Sequence, residues 1–396
     1  MSRFYHKSMK QLYRFIYVYY FLLSLLMVSS YYYVLNGVSI LLSIFCIIKI
    51  NTLSKKKSFF ILNYLLLFLI LVFNIFFIDH QETAARAWIS MLKDTTTAIL
   101  PALFINDIYK LKNALIAIVL GGIINTAINL SGGIGALQTG GRYIPEEIML
   151  SLNSFGHASL IYLLCTLLLI KIINKSKWNF ILGLIALGIL LSLLIIGSRQ
   201  TFVAFAAFYA TIMIFKLKIF NFSSYLKLAG ALIAVYLLID LTIEYYPNAP
   251  LVNRFINNED EDGSRFGIYE MVWDLFLHNP LTGYGLGTFK FYSYYVYTHS
   301  VYLEILFTGG LIYALCYFLF YFIFLKRNIF VIKYAENKSL KIVYTYVFAL
   351  TIALLVNGFF FLINYSRLAL SLQFLLINFI LITKRKFQNS NKWKNQ

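Results

Sequence analysis

The feature that most constrains this chain is a succession of apolar runs, each about as long as a bilayer is thick and separated by short polar segments. A helix rises about 1.5 Å per residue, so about 20 apolar residues cross a hydrocarbon core of ~30 Å. Runs of this kind fall at about 14–32, 34–50, 59–78, 87–106, 113–130, 155–173, 179–197, 201–219, 226–243, 300–325, 341–363 and 366–383. They are continuous rather than alternating, which argues against a β-barrel. Of the 396 residues, 60% are hydrophobic and 13% charged; soluble domains carry about 45–50% and about 25%. A soluble domain, a disordered chain and a fibre are thereby excluded. The expectation is an all-α integral membrane protein of about 12 transmembrane helices, forming one polytopic domain over 1–396.

The fourth run is interrupted by Lys93, Asp94 and Pro101, and charge decides whether it is a span. With twelve spans and both termini cytoplasmic, most of the 34 Lys and Arg lie inside. Outside stand only Arg86, Lys93, Arg142, Arg199, Arg254, Arg265, Lys290 and Arg367. Deleting the fourth span flips every later loop and reverses the excess, against the positive-inside rule. The net charge of +18 therefore reflects topology rather than nucleic-acid binding. Arg3, Lys7, Lys10 and Arg14 precede the first run without a small-residue cleavage site, so that run reads as an uncleaved helix. Cys46, Cys165 and Cys316 all lie in apolar runs and suggest neither disulfide nor metal site.

The twelve-span topology leaves one large outer loop, 244–298, and a smaller one, 131–154. The cytoplasmic connections are short and basic, with no GxxxxGK[ST] motif for ATP. Six of the ten arginines fall outside, whereas nearly all lysines fall inside. Topology does not prefer Lys over Arg, so retained outer guanidiniums hint at bidentate binding of phosphate or carboxylate.

Two short segments could carry chemistry. Gly197-Ser198-Arg199-Gln200-Thr201 is a tight turn between apolar runs; Arg199 is either a snorkelling helix-end residue or an anion ligand facing a cavity. The second begins at Gly263-Ser264-Arg265-Phe266, passes through Asn279-Pro280-Leu281-Thr282-Gly283-Tyr284-Gly285-Leu286-Gly287, and reaches Thr298-His299-Ser300, Tyr302, Glu304 and Gly309-Gly310. Its alternate glycines suggest a flexible turn and lack the GxGxxG spacing of a phosphate loop. Helical spacing would put His299, Tyr302 and Leu303 on one face. Tyr284, Phe289, Phe291, Tyr292, Tyr294, Tyr295 and Tyr297 could stack on sugars or rest among lipid headgroups. The acidic run Glu259-Asp260-Glu261-Asp262 could hold a divalent cation or be a solvated loop tip.

The stretch from Arg265 to Gly310, with the Ser198-Arg199 turn and the large loop between the ninth and tenth spans, resembles the O-antigen ligase and polymerase superfamily. The resemblance implies a GT-C-like membrane glycosyltransferase at the bacterial plasma (inner) membrane. Its donor and acceptor would be undecaprenyl-pyrophosphate-linked glycans, polymerised into O-antigen, capsular or exopolysaccharide; a ligase would instead deliver the glycan to lipid A-core or another acceptor. It implies no cofactor, no metal and no nucleic acid, with a chain-length regulator and a flippase as further partners. Carried over residue by residue, the catalytic positions are His299, Arg265 and Arg199. Arg142, Tyr297, Tyr302 and Glu304 would contact substrate. The family often has Asn after the histidine, where this chain has Ser300.

The chemistry agrees with such a set. Cleaving a glycosyl–pyrophosphate bond builds negative charge on the leaving group, which two guanidiniums could stabilise without a metal. The acceptor hydroxyl loses its proton as it attacks, and an imidazole is a usable base near neutral pH. The competing class is a transporter, such as a flippase for the same lipid-linked glycans. It would concentrate charge at the midplane and show internal repeats, and neither is evident here.

Overall fold

A computed structural model describes residues 2–26, 32–49, 58–139, 152–196, 198–216, 262–360 and 366–394. Among these residues there are twelve α-helices and no strand. They are α1 (Ser2–Leu26), α2 (Tyr32–Ile48), α3 (Ser58–Ile75), α4 (Gln81–Phe104), α5 (Ile108–Thr139), α6 (Leu152–Ile173), α7 (Ser176–Ile196), α8 (Arg199–Lys216), α9 (Asp262–His278), α10 (Val301–Tyr334), α11 (Lys338–Asn357) and α12 (Arg367–Lys394). Five contain a stretch long and apolar enough to cross a bilayer: Ile108–Ile128, Ser154–Ile173, Ser176–Leu193, Val301–Tyr334 and Lys338–Asn357. Shorter apolar stretches run through α2, α3, α8 and α12. The chain is thus an all-helical, multi-pass membrane protein.

Eleven of the twelve expected runs overlap a helix; the ninth, at 226–243, lies outside the described residues. The interrupted fourth run is the single helix α4, with Pro101 inside its last turn. α9 falls within the expected large loop and buries Ile268 and Val272, four residues apart on one face.

Helix packing relies on small residues and buried polar groups. Gly121 and Gly122 of α5 let two neighbours close in from different sides. A Cβ on Gly121 would meet the Phe21 backbone oxygen of α1, and one on Gly122 the Tyr162 ring of α6, each at 2.4 Å. The Tyr162 hydroxyl then reaches the Ser24 carbonyl at 2.5 Å, and Asn125 Nδ2 the Leu25 carbonyl at 2.9 Å. α4 is held to α12 at two places. Asp94 pairs with Arg367, with Nε at 2.7 Å, and Asn378 Nδ2 donates to the Ala102 and Ile105 carbonyls beside the proline-containing turn. Inside a membrane no water satisfies such groups, so their partners must come from the protein.

α10 is not a continuous rod. Gly310 has φ 61° and ψ −160°, a break inside an apolar helix. The backbone groups this break frees are taken up by the segment that follows α9. Tyr284 N–H donates to the Phe307 carbonyl at 2.7 Å and Gly285 N–H to the Thr308 carbonyl at 2.9 Å. Leu311 N–H donates to the Pro280 carbonyl at 2.7 Å, and Asn74 Nδ2 adds a bond to Thr308 O from α3. Gly283, Gly285 and Gly287 all have positive φ. A Cβ on Gly283 would lie 2.4 Å from the Phe307 carbonyl oxygen. The alternate glycines therefore form a fixed plug in the helix break, not the flexible turn expected from composition.

Candidate active site

His299 does not belong to α10, so the shared helical face expected for His299, Tyr302 and Leu303 is not formed. The helix starts at Val301, with Ser300 in an extended conformation before it and His299 at φ 61°. Positive φ is uncommon for a residue with a Cβ and needs support from its surroundings. That support is visible on both sides. The Thr298 hydroxyl donates to the Ser300 carbonyl at 2.9 Å, spanning His299. Thr298 N–H points to Glu304 Oε2 at 3.4 Å, a long bond to a carboxylate one helical turn inside α10. Thr298, Ser300 and Glu304 are all buried, while the His299 ring is only half-buried and lies 4.5 Å from the Tyr297 ring.

The start of α10 is latched to the turn that ends α11. Val301 N–H donates to the Gly358 carbonyl at 2.9 Å, and the Tyr302 hydroxyl to the Leu355 carbonyl at 2.6 Å. Tyr302 also packs at a tilt against Phe359, ring centroids 4.4 Å apart, and the Phe359 carbonyl accepts from the Tyr269 hydroxyl of α9 at 3.3 Å. Arg265 lies on α9 one helical turn before Tyr269. α9 and the start of α10 thus converge on the turn at 358–360.

A second chain of contacts leads from that turn to Arg199. Asn357 Nδ2 and His157 Nδ1 are 2.7 Å apart, both fully buried. Gly156, next to His157, lies against Ser198: a Cβ there would meet the Ser198 Cβ at 2.9 Å. Ser198 immediately precedes α8, which begins at Arg199 with its side chain half-buried. His157, Asn357, Arg199, His299 and the helix bearing Arg265 therefore meet at one end of the bundle. Arg199, Arg265 and His299 are residues the sequence singled out; Asn357 is not, since it sits inside an apolar run without a motif. His157 is not among the expected site residues either.

The remaining expected site residues are distributed as follows. Tyr297 is exposed beside His299. Tyr302 and Glu304 make the bracing contacts just described. Arg142 and the acidic residues 259–261 lie outside the described residues. Of the other outer arginines, Arg367 is 3% exposed and paired with Asp94, and Arg86 pairs with Glu82 on the surface.

The aromatic cluster divides in two. Tyr284, Phe289 and Tyr292 gather around Phe307, with ring centroids 5.2, 5.1 and 5.8 Å away, over Ile268 and Val272 of α9. Burial raises the Tyr284 hydroxyl above the ordinary phenol range. It does the same for Tyr292, with the Asp79 charge and then Tyr284 adding to the effect. Tyr294, Tyr295 and Tyr297 are exposed, and the last two flank His299. The first group packs as a small core; the second is open to solvent, as is Phe291, which stacks on His80 with centroids 3.8 Å apart.

The fold defines a class: a multi-pass helical membrane protein, with the start of α10, the end of α11, His157 and the residue before α8 linked by contacts. Residues 148–318 match the O-antigen ligase family, an enzyme family. The match supports the resemblance to the O-antigen ligase and polymerase superfamily and implies lipid-linked glycan substrates in a membrane. It spans somewhat under half of the chain and includes Arg199, Arg265 and His299, while Arg142 lies outside it. No curated protein matches the chain.

Proposed function

We propose that the protein is a metal-independent glycosyltransferase on the outer face of the bacterial inner membrane, with both termini cytoplasmic. It would polymerise undecaprenyl-pyrophosphate-linked repeat units into an O-antigen, capsular or exopolysaccharide. The acceptor hydroxyl attacks the anomeric carbon of the donor. The new glycosidic bond forms as the bond from that carbon to the pyrophosphate oxygen breaks. His299 takes the hydroxyl proton, and Arg199 and Arg265 stabilise the charge left on the lipid pyrophosphate. Arg142 and Tyr297 would contact the glycan, with Tyr302 and Glu304 serving the site through the start of α10. The observation that carries this reading is the bracing of His299 at positive φ, tied through Gly358, Asn357, His157 and Gly156 to the turn before Arg199. Strain held in place by its surroundings is a common mark of a working site.

A ligase reading has one specific observation in its favour, the description of the matched family. One experiment separates the two. Purified protein in liposomes is given the lipid-linked repeat unit with EDTA present, and products are resolved on a gel. A ladder lost in His299→Ala supports the polymerase. Transfer that requires a separate acceptor supports the ligase. Undiminished product from His299→Ala at normal protein level refutes the assignment of the base.

A further inference from the structure

Three neutral polar side chains stand where α6, α8 and α11 pack together at the His299 end of the bundle. Ser198 is 1% exposed, Gln200 5% and Asn357 0%. Ser198 Oγ, Gln200 Oε1 and Nε2, and Asn357 Oδ1 have no hydrogen-bond partner among the described residues. Buried polar atoms are nearly always bonded, because leaving them unpaired destabilises the fold. The four lie on two neighbouring elements, the start of α8 and the end of α11. Nor do they serve the local backbone: the Ser198 carbonyl, not its hydroxyl, accepts from Thr201. Asn357 bonds His157 Nδ1 through one end of its amide and leaves the other end without a partner.

The chemistry of these atoms selects a ligand class. A pyrophosphate esterified at both ends presents only acceptors at neutral pH, and the amide oxygens of such a set would repel it. A hydroxyl both donates and accepts, and so matches a set that mixes amide oxygens, an amide nitrogen and a hydroxyl. Arg199 lies between Ser198 and Gln200 in the chain, at the start of α8. Resting on the function proposed above, we propose that Ser198, Gln200 and Asn357 form a binding site for the sugar attached to the lipid pyrophosphate. The site makes the protein favour a glycosylated carrier over a bare one. A site built to hydrogen-bond hydroxyls rejects a ligand that lacks them, because its own polar atoms are then left unpaired.

The test uses full-length protein in detergent, with Gln200→Met and Ser198→Ala. Thermal unfolding is measured first. Binding is then measured to undecaprenyl pyrophosphate isolated with its glycan, and to undecaprenyl pyrophosphate without one. The expected result is an unfolding temperature equal to or above wild type, because each variant removes unpaired polar atoms. Affinity for the glycosylated lipid should fall about tenfold per variant, the size of one good hydrogen bond, with affinity for the bare lipid unchanged. A lowered unfolding temperature would show these atoms to be structural and overturn the proposal. An equal loss for both lipids, or full retention of the preference, would overturn it as well. Wild-type protein that binds both lipids equally would instead sink the functional reading, and the sugar site with it.

Discussion

Replacing Gly310 with alanine tests whether the break in α10 is built or incidental. The residue has φ 61° and ψ −160°, a region open almost only to glycine. A Cβ there would meet the Leu281 carbonyl oxygen at 2.4 Å, its carbon at 2.5 Å and the Pro280 oxygen at 2.7 Å. All three are backbone atoms, so no side chain can swing aside. The backbone strain costs about 1–3 kcal/mol. Moving the plug disturbs the Leu311–Pro280 bond and its neighbours Tyr284–Phe307 and Gly285–Thr308, adding about 1–3 kcal/mol. A loss of about 3–5 kcal/mol is expected, with activity reduced because the plug and His299 flank the same first turns of α10. Gly183 of α7 is the control, since nothing lies within 4 Å of a Cβ built there. Alanine at that helix-interior position should stabilise by about 0.5–1 kcal/mol. Unfolding in detergent, followed by the fluorescence of Trp273 on α9 and the other tryptophans, reads both variants. The reasoning fails if Gly310→Ala lies within about 0.5 kcal/mol of wild type, or if Gly183→Ala is equally destabilising.

The other predictions concern charge. Arg199→Lys and Arg265→Lys keep the positive charge but lose the planar fork; each should lower turnover about 10²-fold without changing protein level, measured in the liposome assay. Asp94→Asn leaves the Arg367 guanidinium buried opposite a neutral amide and should destabilise by about 3–5 kcal/mol. The swap Asp94→Arg with Arg367→Asp should recover part of that loss, and no recovery would show the pair to be incidental. The raised folded-state values of Tyr284 and Tyr292 mean that their contribution is fully present below the unfolded phenol value and lost as pH rises through the folded one. Stability should therefore be flat to about pH 10 and fall above it, with a shallower fall in Tyr292→Phe when unfolding is measured across that range.

Much of this protein was legible in one dimension. Hydropathy and length are properties of each segment by itself, so apolar runs located eleven of the helices, α4 among them despite Lys93, Asp94 and Pro101. Arg199, Arg265 and His299 stood out because charged and titratable groups are scarce in such a chain. What the sequence could not reveal were pairings between distant residues. Arg367 looked like another outer anion ligand until Asp94, 273 positions away, appeared beside it. His157 and Asn357, 200 positions apart, looked like one incidental histidine and one unremarked amide. The glycines at 283, 285 and 287 suggested flexibility until the broken helix they fill was in view. In each case the meaning of a polar group depends on which buried partner satisfies it. Helix periodicity says which face a residue occupies; only the tertiary arrangement says what that face meets.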